Sequence, residues 1–330
     1  MGRAARRSGL SAAVDRRRPV IVVAGPTASG KSALALDLAQ ALGGTVINAD
    51  SMQVYRELRI LTARPSPAEE AAAPHRLYGV LPAAEVCSAA RWRDLALAEI
   101  TEADRVSRLP ILAGGTGLYL RALRHGLSAV PEIPEAVRAE TRKRFAAVGN
   151  AAFYAELSAR DPVMGARLKP GDRQRLMRAA EVLAATGRSL ADWHREPGGG
   201  AEARGLAFYT IALLPARAQL RDRIEARFAA MVDAGAVEEA RALAALGLSP
   251  ELPAMKAHGV PELMRYLAGD ISLEEASRQA TSATRQYAKR QVTWLRHQSE
   301  KDYVLEQQFS GSFTPVIANK IRQFLLTLSR

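Results

Sequence analysis

The chain has 330 residues, 48% of them hydrophobic, a formal net charge of +12 and a single cysteine, Cys87. That length and apolar content support one substantial core and a second, smaller one. A lone cysteine excludes an internal disulfide and a zinc site built from paired cysteines, and no apolar stretch is long enough to make a membrane-spanning helix.

Residues 1–18 carry Arg3, Arg6, Arg7, Arg16, Arg17 and Arg18 against Asp15, a local +5 that leaves +7 on the body. A basic body points to a polyanionic partner. The leader lacks the apolar segment of a secretory signal. It reads as a disordered basic extension on a cytoplasmic protein, with an Arg-rich transit peptide as the alternative.

The apolar run Pro19-Val20-Ile21-Val22-Val23-Ala24 predicts a first strand. It leads into Gly25-Pro26-Thr27-Ala28-Ser29-Gly30-Lys31-Ser32, a complete phosphate-binding loop, and then into the amphipathic segment Ala33-Leu34-Ala35-Leu36-Asp37-Leu38-Ala39. Strand, glycine-rich turn and helix is the context that gives this motif its meaning. Its glycines let backbone N–H groups close around phosphate oxygens, and the helix N-terminus adds partial positive charge. Lys31 supplies a point charge, and the Ser32 hydroxyl suits the Mg²⁺ that accompanies oligophosphates. The loop does not say which oligophosphate.

Gly44–Asn48 predicts a second strand that closes on Asp50, followed by Ser51-Met52-Gln53-Val54-Tyr55. Strand ends of this kind face the ligand crevice of an open α/β sheet. Asp50 there suits a general base, a Mg²⁺ ligand or a helix cap. Leu109–Ala113 predicts a third strand, ending in Gly114-Gly115-Thr116-Gly117-Leu118-Tyr119, with no acidic residue where a nucleotide hydrolase places its Mg²⁺-binding Asp. Its two glycines allow a close backbone approach, and Thr116 offers one hydroxyl.

From 131 to 200 the sequence becomes charged and helix-forming, closed by Glu196-Pro197-Gly198-Gly199-Gly200. This reads as a helical subdomain inserted into the α/β core. Within it, Asp172 suits the N-cap of a basic helix, Arg173-Gln174-Arg175-Leu176-Met177-Arg178. Leu206–Leu213 predicts a further strand, and the chain from 216 onward reads as helical, with breaks near Gly247, Pro253 and Gly259. Over 273–297, Arg278, Arg285, Lys289 and Arg296 fall on one helix face, with Trp294 beside them as a core residue. The expected fold is α/β: a three-layer P-loop NTPase-like core with a parallel sheet over 19–130 and 201–330, an inserted all-helical subdomain and a helical C-terminal region. The chain shows no heptad and no exposed apolar strand edge, so a monomer is expected.

Five segments in register carry a resemblance. They are the loop Gly25–Ser32, Asp50–Tyr55, Gly114–Tyr119, Asp172-Arg173-Gln174-Arg175-Leu176, and Thr284-Arg285-Gln286-Tyr287-Ala288-Lys289-Arg290-Gln291-Val292-Thr293-Trp294. In order and spacing, from about residue 19 to 300, the chain resembles the bacterial tRNA dimethylallyltransferases. The resemblance implies transfer of a dimethylallyl group from dimethylallyl diphosphate to N6 of the adenosine on the 3′ side of the anticodon in tRNA. It implies that Gly25 to Ser32 cradle a diphosphate with Mg²⁺, that Asp50 is the base on N6 and that Thr116 contacts the adenine. Ser51, Met52, Gln53, the helix Gln174-Arg175-Leu176-Met177-Arg178, Arg138, Arg285 and Lys289 would hold the tRNA. Either Arg223 or Arg227 would reach the diphosphate.

The chain departs from the family at Leu61-Thr62-Ala63-Arg64-Pro65, where Gly-Thr-Ala-Lys-Pro is usual, and at Val260, where an aromatic residue is common. His258 reads as a structural neighbour of Gly259. The C-terminal zinc finger of eukaryotic relatives is absent. Two other functions fit parts of the sequence. An ATP-dependent small-molecule kinase would use the loop and Asp50 but not the basic stripe, and a nucleotide-gated RNA-binding protein would use the charge but not Asp50.

Overall fold

A computed structural model describes residues 17–196, 199–201 and 205–328. The leader up to residue 16, and Pro197 and Gly198 of the segment closing the insertion, lie outside the described residues. The described residues form two compact units, one running to Arg124 and resuming at Ala201, the other His125–Gly200.

The larger unit is built on a six-stranded, wholly parallel sheet. In chain order its elements begin β1 (Arg18–Ala24), α1 (Lys31–Leu42), β2 (Gly44–Asn48), α2 (Pro67–Ala72), β3 (His75–Arg76), α3 (Ala89–Arg105), β4 (Leu109–Gly114) and α4 (Gly117–His125). The strands lie in the order β3-β2-β4-β1-β5-β6, so β1 sits between β4 and β5. Parallel neighbours need helical crossovers, which cover both faces, and the central strands are therefore apolar throughout. Alternate β1 side chains serve different layers. Val20, Val22 and Ala24 join one core with Trp92, Tyr55 and Leu112, while Ile21 and Val23 join the other with Leu34, Leu38 and Ile317. These two cores are the physical content of the three-layer expectation.

The second half of this unit runs β5 (Leu206–Leu213), α9 (Arg217–Asp233), α10 (Ala236–Ala245), α11 (Val260–Leu267), α12 (Leu273–Gln298), β6 (Tyr303–Leu305) and α13 (Thr314–Leu328), numbered after the four helices of the insertion. Two strands escaped the sequence reading. β3 has only two residues, and β6 is a three-residue edge strand in a region read as helical, fixed by its pairing with β5 rather than by any period of its own.

The smaller unit contains α5 (Glu135–Arg160), α6 (Pro162–Arg167), α7 (Arg173–Thr186) and α8 (Leu190–Trp193). α5 bends at Gly149, whose φ of 75° suits a residue without Cβ. Its Phe145, Phe153 and Leu157 pack with Leu176, Ala179 and Val182 of α7. Asp172 occupies the N-cap position of α7, but its side chain does not cap the helix. Its Oδ2 instead accepts the Lys169 N–H at 3.4 Å. Among the described residues no helix is long and apolar enough to cross a membrane.

Candidate active site

The loops after β1, β2 and β4 meet at the carboxyl end of the sheet, and glycines set how closely they meet. A Cβ on Gly114 would lie 2.1 Å from the Ala49 carbonyl oxygen, and one on Gly115 would lie 2.7 Å from that of Gly25. The close approach expected of these glycines is thus made to neighbouring loops. In the phosphate loop, Ala28 and Gly30 take left-handed φ values of 67° and 93°. For Ala28 that conformation costs about 1–2 kcal/mol, strain stored where the loop must curl. α1 then opens at Lys31 with no side-chain cap on its N-cap and no acidic residue in its first turn. Its first N–H groups are left for an anion. Ser29 is fully buried with an Oγ that has no hydrogen-bond partner among the described residues. Behind the loop, Gln308 Nε2 donates to the Ser29 carbonyl at 3.0 Å.

Asp50 is held from several sides. The fully buried Asn48 accepts the Asp50 N–H at 2.8 Å and donates to its carbonyl at 2.9 Å. Asp50 Oδ1 accepts the Met52 N–H at 2.9 Å, so the side chain closes a turn rather than capping a helix. Thr116 Oγ1 accepts the next amide, Ser51 N–H, at 3.0 Å, joining the ends of β2 and β4. Asn48 was not singled out in the sequence. A polar residue ending an apolar strand just before a candidate base was the available signal.

One cavity collects these parts. It measures about 750 Å³ including its open mouth, and its lining includes Thr27, Lys31, Ser32, Asp50, Gln53 and Arg227 on the polar side. Leu61, Ile224, Phe228, Met231 and Ala257 form an apolar wall beside them. Burial pushes Lys31 down to about 8, with Asp50 opposing the shift and Arg227 adding to it. Burial likewise lowers Arg227, again against the pull of Asp50. The two candidate arginines are placed differently: Arg227 lines the cavity, whereas Arg223, one turn earlier on α9, is exposed. The sequence signal was present in the apolar positions 224, 228 and 231, a helix face that includes Arg227.

α12 contributes more than a basic stripe. Tyr287 lines the cavity and is pushed up to about 12 by burial. His258, set aside in the sequence as structural, also lines the cavity. Its ring lies 5.0 Å from that of Tyr287, and burial lowers its basicity. Gln291 is buried and bonds both the phosphate loop and the β4–α4 turn. Trp294 packs its ring on Gly117 as a half-buried core residue.

The other sequence candidates fall as follows. Ser51 and Met52 are half-buried, Met52 at the cavity. Gln53 is buried, and its Nε2 donates to the Thr62 and Ala63 carbonyls at 2.9 Å each, so the amide nitrogen is a loop tie. On α7, Gln174 and Arg175 are exposed and Met177 is half-buried, while Arg178 is half-buried and lies 3.8 Å from Glu181. Leu176 is fully buried among Ala179 and Val182. Arg138 is half-buried, with an Nε that has no partner among the described residues. Lys289 is exposed, but the basic stripe is partly neutralised: Arg285 pairs with Glu225 at 2.8 Å and Arg278 with Glu275 at 2.6 Å. Of the departures, Leu61 enters the cavity wall and Val260 is buried in the core. Arg64 Nη1 donates to the carbonyl of Arg56 at 3.2 Å and packs on Gly79.

The profile of the IPP transferase family matches residues 53–298. A tRNA dimethylallyltransferase of Rhodospirillum centenum is 59% identical over 85% of this chain and 89% of its own length. The crystal structure of a full-length tRNA isopentenylpyrophosphate transferase from Bacillus halodurans superposes with a TM-score of 0.68 at 34% identity, covering 95% of this chain and 98% of that one. A eukaryotic dimethylallyltransferase acting on tRNA gives 0.70 at 27% identity, over 84% and 70% of the two chains.

Proposed function

The chain belongs to the IPP transferase family, and we propose that it transfers a dimethylallyl group from dimethylallyl diphosphate to N6 of the adenosine 3′ to the anticodon in tRNA. The observation that carries this reading is the shared cavity. Asp50 and the anion-binding residues Lys31 and Arg227 line one space, beside an apolar wall suited to an isoprenoid chain. That wall favours prenyl transfer over the kinase reading, because a γ-phosphate donor gives it nothing to bury.

The diphosphate sits in the loop Gly25–Ser32, on the amides opening α1, with Lys31 and Arg227 as its charge partners. Adenine N6 is a weak nucleophile, its lone pair being delocalised into the ring. Asp50 accepts its proton as the C–N bond forms, and the allylic C–O bond breaks to release diphosphate. The charge gathered on the leaving oxygens is met by Lys31, Arg227 and the loop N–H groups. Thr116 fixes the base segment through the Ser51 N–H, and Tyr287 borders the space for the flipped adenine, whose unstacking costs least in an anticodon loop. Binding-only function would leave Asp50, held by Asn48 and aimed into the cavity, without a task.

Ser32 is exposed at the cavity and offers a hard oxygen, and the described residues contain no cluster of three His, Cys, Asp or Glu. This donor set fits Mg²⁺, which keeps waters and substrate oxygens in its shell. Ser32 and the diphosphate would hold it, and it would add charge stabilisation at the leaving group. The tRNA is further held by Gln174, Arg175 and Arg178 of α7, by Arg138 and by Lys289 as backbone-contacting groups. Nucleoside analysis of unmodified tRNA after incubation with enzyme, dimethylallyl diphosphate and Mg²⁺ tests the reading. A prenylated adenosine is expected at the anticodon-adjacent position, and its absence would overturn the proposal.

A further inference from the structure

The apolar wall of the cavity has a direction. Ile224 of α9 packs with Ala28 of the phosphate loop, so it marks the diphosphate end. Phe228 and Met231 follow on the same helix face, Phe228 about 6 Å further along the axis at the rise of an α-helix. A Cβ on Gly259 would lie 2.8 Å from Leu61 Cδ2 and 3.1 Å from Phe228 Cε2, so those two side chains converge there. Leu61 is 7% exposed and lines the cavity.

The backbone that carries Leu61 is held on both sides. Glu239 accepts the N–H groups of Arg59 and Ile60 at 2.8 Å and that of Leu61 at 2.9 Å. Gln53 Nε2 holds the carbonyls of Thr62 and Ala63 just beyond. A carboxylate accepting three amides and a carboxamide donating to two carbonyls leave this turn little freedom to retreat. A side chain on so fixed a turn acts as a wall.

We propose that Leu61 terminates the prenyl pocket and sets the chain length of the donor, an inference that rests on the transfer reaction proposed above. With the diphosphate in the loop, a five-carbon chain ends at the level of Phe228. A ten-carbon chain carries one more isoprene unit and runs into Leu61. Truncation of Leu61 opens the space that this unit needs.

The test compares dimethylallyl and geranyl diphosphate as donors to the same tRNA, for the wild-type enzyme and for Leu61→Ala and Leu61→Val. The wild type is expected to favour the five-carbon donor by about 100-fold or more in kcat/KM. Leu61→Ala should narrow that preference by about tenfold or more, mainly through a lower KM for geranyl diphosphate. Leu61→Val should move it the same way to a smaller degree, and it keeps the test open if the alanine variant does not fold. A wild type that prenylates tRNA, alongside folded variants whose donor preference stays within about twofold, would overturn the role of Leu61 alone. A wild type that transfers neither group would overturn the proposed function and this assignment with it.

Discussion

Gln291 Oε1 accepts the Thr27 N–H at 2.9 Å while its Nε2 donates to the Gly115 carbonyl at 3.0 Å. One buried side chain of α12 thereby spans the phosphate loop and the turn that carries Thr116. The register between the anion cradle and the β2–β4 loop ends depends on that span. A Cβ on Gly115 would lie 2.3 Å from Gln291 Nε2 and 2.7 Å from the Gly25 carbonyl oxygen, so a larger residue there would push apart the groups this span joins.

Gln291→Glu keeps the acceptor for Thr27 but turns an oxygen toward the Gly115 carbonyl. A lost hydrogen bond with an opposed acceptor costs about 1–3 kcal/mol. The expected result is a ten- to hundredfold fall in kcat/KM for the diphosphate donor, with KM for tRNA within about twofold of wild type. Steady-state kinetics in both substrates, with thermal melts to confirm folding, check it. Equal loss in both Michaelis constants would show a general structural defect instead.

Asp50→Asn isolates the proton transfer. Asparagine retains an oxygen for the Met52 N–H, so the turn survives while the base is lost. Turnover should drop by about 10²- to 10⁴-fold, the usual scale of general-base catalysis. Affinity for tRNA, measured by filter binding, should stay within about threefold, because phosphate contacts dominate it. Near-wild-type turnover would remove Asp50 from the chemistry.

The sheet and the loop were legible because their signals are local. Apolar runs near 20, 46, 111 and 208, and the glycine-rich motif between the first run and its helix, specify themselves without reference to distant residues. Asp50 was legible as the residue beyond a strand end. What escaped depends on tertiary partners. Asn48 matters only because its carboxamide meets the Asp50 backbone and the Leu77 carbonyl. Leu61 and His258 matter because α9 and α12 line the same cavity beside them. The burial of Leu176 was not legible either, because a motif match carries no information about which face of its helix is buried. β6 was invisible because a three-residue edge strand has no pattern to read.

Arg227 and Arg223 should separate cleanly. Arg227 lines the cavity and lies in the field of Asp50, whereas Arg223 is exposed. Arg227→Ala removes a charge-assisted contact to the diphosphate, worth about 1.5–3 kcal/mol, or roughly 10- to 150-fold in kcat/KM for the donor. Arg223→Ala should change it by less than about threefold. Inhibition by inorganic pyrophosphate gives an independent reading, since only the Arg227 variant should lose affinity for it.

Lys31 predicts a pH dependence whose sense differs between binding and folding. Burial brings its ammonium in the free enzyme from 10.5 down to about 8. A bound diphosphate favours the charged form, so above pH 8 donor binding must first return a proton to the site. Donor affinity should therefore be flat below about pH 8 and fall toward tenfold per pH unit above it, with proton uptake approaching one. Folding runs the other way. The unfolded chain holds this proton up to 10.5, so between about 8 and 10.5 it binds more protons than the native state, and the Lys31 contribution to stability rises with pH. Calorimetry in buffers of different ionisation enthalpy, from about pH 7 to about pH 9.5, measures the uptake directly. Lys31→Met should abolish it. Uptake that persists in that variant would assign the titration to another group of the cavity.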